Sequence, residues 1–261
     1  MKPNRSILSV PGHIAKMHAK ALQSNADVIM LDLEDSVPVE SKNEARETVI
    51  QSINSMDWSS KVLSVRINSV DTPFAYRDIL QVVEACGGNI DTIVLPKVNS
   101  AGDVHFLCRM LDGIELSLGL TRRIQIEVCI ETALGLSHIQ SIVTASNRIK
   151  TLVFGIADYT ASVGARLVSI SGHGEREEEI YPGHRFHFPL STIIMAAKAH
   201  GLLAIDAPYG NFQDQNGLRK AAAMTCALGC DGKWAIHPAQ IDAIAQFRRA
   251  CGTENAHRRR S

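Results

Sequence analysis

Seven of eight apolar runs in this chain pass at one end into a polar or ionisable residue. After the run closed by Pro11-Gly12, these residues are Glu34-Asp35, Arg66 with Asn68, Lys97, Glu131, Asp158, Asp206 and His237. An ionisable group at the end of a buried strand must be paired, hydrated or bound to a ligand. Glu131 and Asp158 follow consecutive runs. Two close carboxylates repel unless one is protonated or a cation lies between them. With oxygen donors only, Mg²⁺ or Mn²⁺ is the natural cation, its shell completed by waters or substrate oxygens. The competing reading is that each carboxylate caps a helix N-terminus, Glu131 before Thr132 and Asp158 before Tyr159. Spacing alone leaves these two readings even.

Arg66 closes an otherwise apolar run. A guanidinium there suits bidentate binding of a carboxylate, or stabilisation of an enolate oxygen. It also suits an ion pair with Glu34 or Asp35 on the neighbouring run, and the two roles are compatible. Lys97 is a weaker candidate for a Schiff-base lysine. His237 either caps the last helix or contacts a ligand, and Asp206 orients a neighbour. No G-x-G-x-x-G, Walker A loop or G-x-S-x-G elbow occurs, so dinucleotide binding, nucleotide hydrolysis and serine hydrolysis have no motif.

The elements that must position these residues alternate. Strands are expected at 6–10, 27–33, 62–67, 92–96, 124–130, 152–155, 202–206 and 232–236. They read as continuous apolar or β-branched runs, the pattern of strands buried on both faces. Helical patterns follow at 14–23, 40–53, 74–85, 101–118, 136–145, 191–199, 218–228 and 239–250. Ser41-x-x-Glu44 and Ser100-x-x-Asp103 have capping-box spacing, and Gly201 and Gly229 sit at helix C-termini. Eight strand–helix units in one chain of 261 residues predict a single-domain (β/α)8 TIM barrel, an α/β fold with its site at the C-terminal ends of the strands. Residues 166–189 break the rhythm with a long polar loop, expected to line the mouth.

Composition excludes other classes. The 27 Lys and Arg balance 27 Asp and Glu, which gives no general drive toward nucleic acid or an anionic membrane. Neither is expected as a partner. At 45% hydrophobic residues the chain can fill a large core. No uncharged apolar run approaches the ~20 residues of a membrane span. The N-terminus shows no signal-peptide core. The six cysteines form no C-x-x-C and read as scattered thiols of a cytoplasmic enzyme rather than a disulfide framework.

At these same residues the sequence resembles the malyl-CoA lyase and citrate lyase β-subunit-like family, metal-dependent CoA-thioester aldolases on a (β/α)8 barrel. The matching segments, in family order, are RSILSVPG, ADVIMLDLEDSVP, LSVRINSVDTPFAYRD, DTIVLPKV, EVCIETALG, GIADYTASVGAR, GLLAIDAPYGNF and DGKWAIHPAQI. They extend over nearly the whole chain. DGKWAIHP and the Arg-x-Asn-x-x-Asp-Thr-Pro segment are most like the malyl-CoA, methylmalyl-CoA and citramalyl-CoA branch.

The resemblance implies Mg²⁺, or Mn²⁺ in its place, on Glu131 and Asp158. It implies substrate contacts from Arg66, Ala157, Asp158, Ile236 and His237, and a CoA contact from Lys20. Glu34 and Asp35 are implied as an acidic wall beside Arg66, and the three form the expected catalytic group. The implied reaction is a reversible Claisen-type cleavage of a 3-hydroxy-dicarboxylyl-CoA, giving acetyl- or propionyl-CoA and glyoxylate or pyruvate. Two other readings stay open: a citryl-CoA lyase subunit, and a non-catalytic barrel that binds acyl-CoA or a 2-keto acid. Malyl-CoA lyase relatives use an aspartate from a C-terminal lid that reaches a neighbouring subunit. Residues 251–261 contain no Asp. The expected organisation is therefore a barrel over 1–250 and a short, flexible basic tail over 251–261, with no extended lid. A homo-oligomer, trimer or hexamer, is the expected assembly.

Overall fold

Eight parallel strands close on themselves in sequence order, β1 pairing with both β2 and β8. They are β1 (Ser6–Pro11), β2 (Val28–Asp32), β3 (Val62–Arg66), β4 (Thr92–Leu95), β5 (Gln125–Ile130), β6 (Ile149–Phe154), β7 (Leu203–Asp206) and β8 (Gly232–Ala235). This computed structural model describes residues 4–165 and 185–246. The 166–184 part of the polar loop and the 251–261 tail lie outside the described residues.

The helices are α1 (Ala15–Leu22), α2 (Lys42–Ser55), α3 (Ala75–Asp78), α4 (Glu84–Cys86), α5 (Ala101–Leu118), α6 (Ala133–Ser137), α7 (Ile139–Val143), α8 (Ile156–Ser162), α9 (His187–Ala199) and α10 (Gln215–Leu228). Residues 241–246 are also helical. Most elements fall within a residue or two of the sequence expectation. Strand β6 begins three residues early, because exposed Lys150 interrupts the apolar run that marks it. The helix expected over 74–85 widens into a π-turn at Ile79–Val83. The turn follows Asp78, whose carboxylate is held by Asn68 and Arg46. Asp103 closes its capping box by accepting from Ser100 N at 2.9 Å, whereas Ser41 makes no side-chain cap. Gly229 ends α10 at a φ of 113°, left-handed backbone that a Cβ disfavours.

Two apolar clusters hold the barrel. One lies between strands and helices. The other fills the interior with Ile7, Val28, Met30, Val94, Cys129, Val153, Ile205 and Trp234. Cys86 and Cys129 are buried free thiols. Cys226 is disulfide-bonded, so the reading of six scattered thiols does not hold. Among the described residues no helix is long and apolar enough to cross a membrane.

Glu127 is a polar exception in this interior, 4% exposed and beside Trp234. Burial pushes its carboxyl up to about 7 from an ordinary 4.5. Between those values the folded chain keeps a proton that the unfolded chain releases, so rising pH lowers stability across that window. Glu127→Gln is expected to match wild type at pH 5 and exceed it at pH 8 in urea melts. Parallel curves at both pH values would refute the assignment.

Candidate active site

Strand register sets the centre of the site. Asp32 stands directly opposite Arg66 in the β2–β3 pairing, so both side chains emerge at one level of the mouth. Arg66 donates from Nε to Asp32 Oδ1 and from Nη2 to Asp32 Oδ2, both at 2.6 Å. This is a bidentate fork on a fully buried carboxylate. The remaining nitrogen, Nη1, lies 2.9 Å from Glu34 Oε2 and 3.7 Å from Asp35 Oδ2. Its guanidinium also lies 5.6 Å from the centroid of the Trp234 ring. The expected pairing with Glu34 and Asp35 is therefore present, but the dominant partner is Asp32. That residue lies inside the β2 run and was read there as part of the strand. The strand alternation held the signal: Leu31 and Leu33 point one way, Asp32 and Glu34 the other.

Register acts again between β5 and β6. Ile130 pairs with Phe154, which puts Glu131 beside Gly155. A Cβ on Gly155 would stand 2.0 Å from Glu131 Oε2, so only glycine fits. Glu131 is 3% exposed, and its Oε1 accepts from Lys97 N at 2.6 Å. Burial pushes its carboxyl up to about 8, and the negative charges of Glu34 and Asp158 add to this. Asp158, in the first turn of α8, is raised as well, chiefly by burial. The capping reading fails for Glu131, because Thr132 Oγ1 caps α6 by accepting from Gly135 N at 2.9 Å.

Lys97 Nζ donates to Glu34 Oε1 at 2.5 Å and Asp35 Oδ1 at 3.1 Å, with Asp158 Oδ1 at 3.7 Å. These carboxylates raise its pKa against the effect of burial. A Schiff-base lysine must reach its neutral form, so the Schiff-base role is corrected to that of an ammonium held among carboxylates. Burial pushes Glu34 up to about 7, with Asp35 reinforcing it and Arg66 and Lys97 opposing it.

A pocket of about 280 Å³ opens over this cluster. Arg66, Asp35, Glu131, Ala157, Asp158 and Ile236 line it, as does Asp32. Small residues Ser9 and Gly155 in its wall leave the room. Three expected residues fall elsewhere. Lys20 is exposed in the last turn of α1 and is not brought to the pocket. Asp206 is buried in an ion pair with Lys233. His237 caps the following turn, its Nδ1 accepting from Ala239 N at 3.2 Å, and its ring stacks on Phe212 at 4.5 Å.

Glu131 and Asp158 fit a hard divalent cation. Both offer oxygen only, both are raised chiefly by burial in spite of the opposing charge of Arg66, and both face the pocket. Two protein ligands leave positions for water and substrate.

A family model described as HpcH/HpaI aldolase/citrate lyase matches residues 5–238. The chain belongs to that family. It is 40% identical to an L-malyl-CoA/beta-methylmalyl-CoA lyase of Cereibacter sphaeroides over 92% of this chain and 77% of that protein. A citrate lyase subunit beta of Leuconostoc mesenteroides is 33% identical over 92% of this chain and 75% of its own. Among solved structures, protein CitE of Mycobacterium tuberculosis in complex with magnesium, acetoacetate and coenzyme A has a TM-score of 0.77. It is 28% identical, covering 95% of this chain and 81% of that one. The (β/α)8 barrel of the HpcH/HpaI family is thus the scaffold that brings Arg66, Glu131 and Asp158 to one mouth.

Proposed function

We propose that this protein is a Mg²⁺-dependent carbon–carbon lyase acting on a malyl-CoA-type 3-hydroxyacyl-CoA. The observation that carries the reading is the pairing of Glu131 and Asp158 beside the Arg66 guanidinium in one pocket. The similarity to malyl-CoA lyases exceeds that to the citrate lyase subunit, which favours malyl-CoA, methylmalyl-CoA or citramalyl-CoA over citryl-CoA.

Glu131 and Asp158 hold the cation. When bound there, Mg²⁺ would supply Lewis-acid polarisation of the substrate oxygens. In the cleavage direction the substrate hydroxyl loses its proton. The bond from its carbon to the thioester α-carbon breaks, and the electron pair passes to the thioester as an enolate. Arg66, oriented by Asp32 and Glu34, stabilises that oxyanion. Protonation of the α-carbon gives acetyl- or propionyl-CoA, with glyoxylate or pyruvate as the other product. Ala157 and Ile236 shape the acid-binding side. Outside the pocket itself, His237 would act from the rim, and Lys20 on the exposed end of α1 would meet the CoA portion. Glu34 and Asp35 complete the catalytic wall. The proposal includes a homo-oligomer working in the cytoplasm, with the barrel over 1–250 as the catalytic domain.

The test is product formation from malyl-, citramalyl- and citryl-CoA with and without Mg²⁺. Malyl- or citramalyl-CoA is expected to be cleaved, and chelation to remove the activity. Binding of acyl-CoA without cleavage of any of the three would leave the non-catalytic barrel in its place. Full activity of Asp158→Ala would overturn the metal assignment.

A further inference from the structure

Lys97 has a φ of 51°, the one left-handed non-glycine backbone among the described residues. A Cβ is disfavoured there, and glycine is the usual occupant. That bend aims the Lys97 N–H at Glu131 Oε1. A glycine would deliver the same N–H with less strain. The side chain therefore has a separate role, and its ionic contacts are all with carboxylates: Glu34, Asp35 and Asp158.

The charges around the mouth show what that role is. Five carboxylates, from Asp32, Glu34, Asp35, Glu131 and Asp158, face the two cations Arg66 and Lys97, and a third cation, the buried Lys42 ammonium, stands behind Glu34 on its carbonyl. Arg66 is committed to Asp32 and Glu34. A divalent cation on Glu131 and Asp158 brings the group only to balance, with every carboxylate ionised. A keto acid then brings its own carboxylate into the same pocket. Lys97 is the more accessible of the two cations, its side chain 28% exposed against 9% for Arg66.

We propose that Lys97 is a specificity-determining residue, whose ammonium offsets the Glu34–Asp35 wall so that a carboxylate-bearing substrate enters beside a bound divalent cation. This rests on the lyase reading above. The ammonium and the metal compete for Asp158, whereas the ammonium and the substrate carboxylate attract. Loss of the ammonium therefore acts with opposite sign on the two ligands.

Calorimetry separates them. Mg²⁺ is titrated into metal-free protein, then glyoxylate or pyruvate into protein saturated with Mg²⁺. Lys97→Met is expected to bind Mg²⁺ about tenfold more tightly and the keto acid about tenfold more weakly. Lys97→Gly relaxes the backbone and is expected to show the same split, so a misfolded methionine variant does not remove the test. Lys97→Arg is expected to hold both constants within about threefold, because it keeps the charge. Unchanged constants, or shifts of one sign for both ligands, overturn the role of Lys97. Wild-type protein that binds no Mg²⁺ overturns the lyase reading instead.

Discussion

Glu131→Gln is expected to abolish Mg²⁺-dependent cleavage while making the metal-free fold more stable than wild type at alkaline pH. The amide keeps the shape and can still accept from Lys97 N, but it carries no charge to hold a dication. Loss of a metal carboxylate lowers kcat/KM by about a thousandfold or more, since the cation supplies several kcal/mol of charge stabilisation. The stability change runs the other way. Burial pushes the Glu131 carboxyl up to about 8 in the fold, above its ordinary 4.5. Between those values the folded chain holds a proton that the unfolded chain gives up. Wild-type stability is thus full below about pH 4.5 and falls as pH rises through 8. The glutamine variant lacks this slope. Metal-free urea melts are expected to coincide near pH 5 and to differ by on the order of 3 kcal/mol at pH 9. Saturating Mg²⁺ then stabilises wild type by about 2.7 kcal/mol at a hundred times Kd and leaves the variant unmoved. An active variant, or one that is equally stabilised by Mg²⁺, removes Glu131 from the metal site.

Asp32→Ala is expected to cost about 3–5 kcal/mol of stability, because it strips a buried guanidinium of its bidentate partner. Glu34 and the more distant Asp35 then face Arg66, and both are divided between Arg66 and Lys97. Cleavage is expected to fall with it, since the fork fixes the direction of the remaining nitrogen, Nη1. The double variant Asp32→Ala with Arg66→Met removes both charges. It is expected to recover most of the lost stability and none of the activity, because an apolar pair of similar volume replaces a buried ion pair at little net cost. Denaturant melts of the four proteins in a mutant cycle measure this. A loss below about 1 kcal/mol in the single variant would place the pair among ordinary surface ion pairs instead.

Much of the site was legible before the fold. Glu131, Asp158 and Arg66 each stood at the end of a buried-type strand, where an unpaired ionisable group is costly, and all three meet at the pocket. Two points needed the closed sheet. Asp32 was missed because it is a single polar residue inside an apolar run, and a run marks a strand without marking which face matters. Lys97 was weighed as a weaker Schiff-base candidate, because its three carboxylate neighbours lie in the loop after β2 and in α8, distant in sequence. Lys20 was placed by family resemblance, whereas His237 was read from its position as either a helix cap or a ligand contact. The fold puts the first on the exposed helix end and the second in a cap and an aromatic stack.

The order of apolar runs, their lengths and their polar ends favoured a (β/α)8 barrel over an open sheet, with carboxylates and an arginine at one mouth. These are local properties, set by periodicity and by the cost of burying charge. Partners and strengths were another matter, because they depend on register. The pairing of Asp32 with Arg66 makes the fork, the pairing of Ile130 with Phe154 puts Glu131 against Gly155, and a left-handed Lys97 ties the two halves together. Each is a contact between residues more than twenty positions apart, fixed only when the sheet closes and one strand slides to its place against the next.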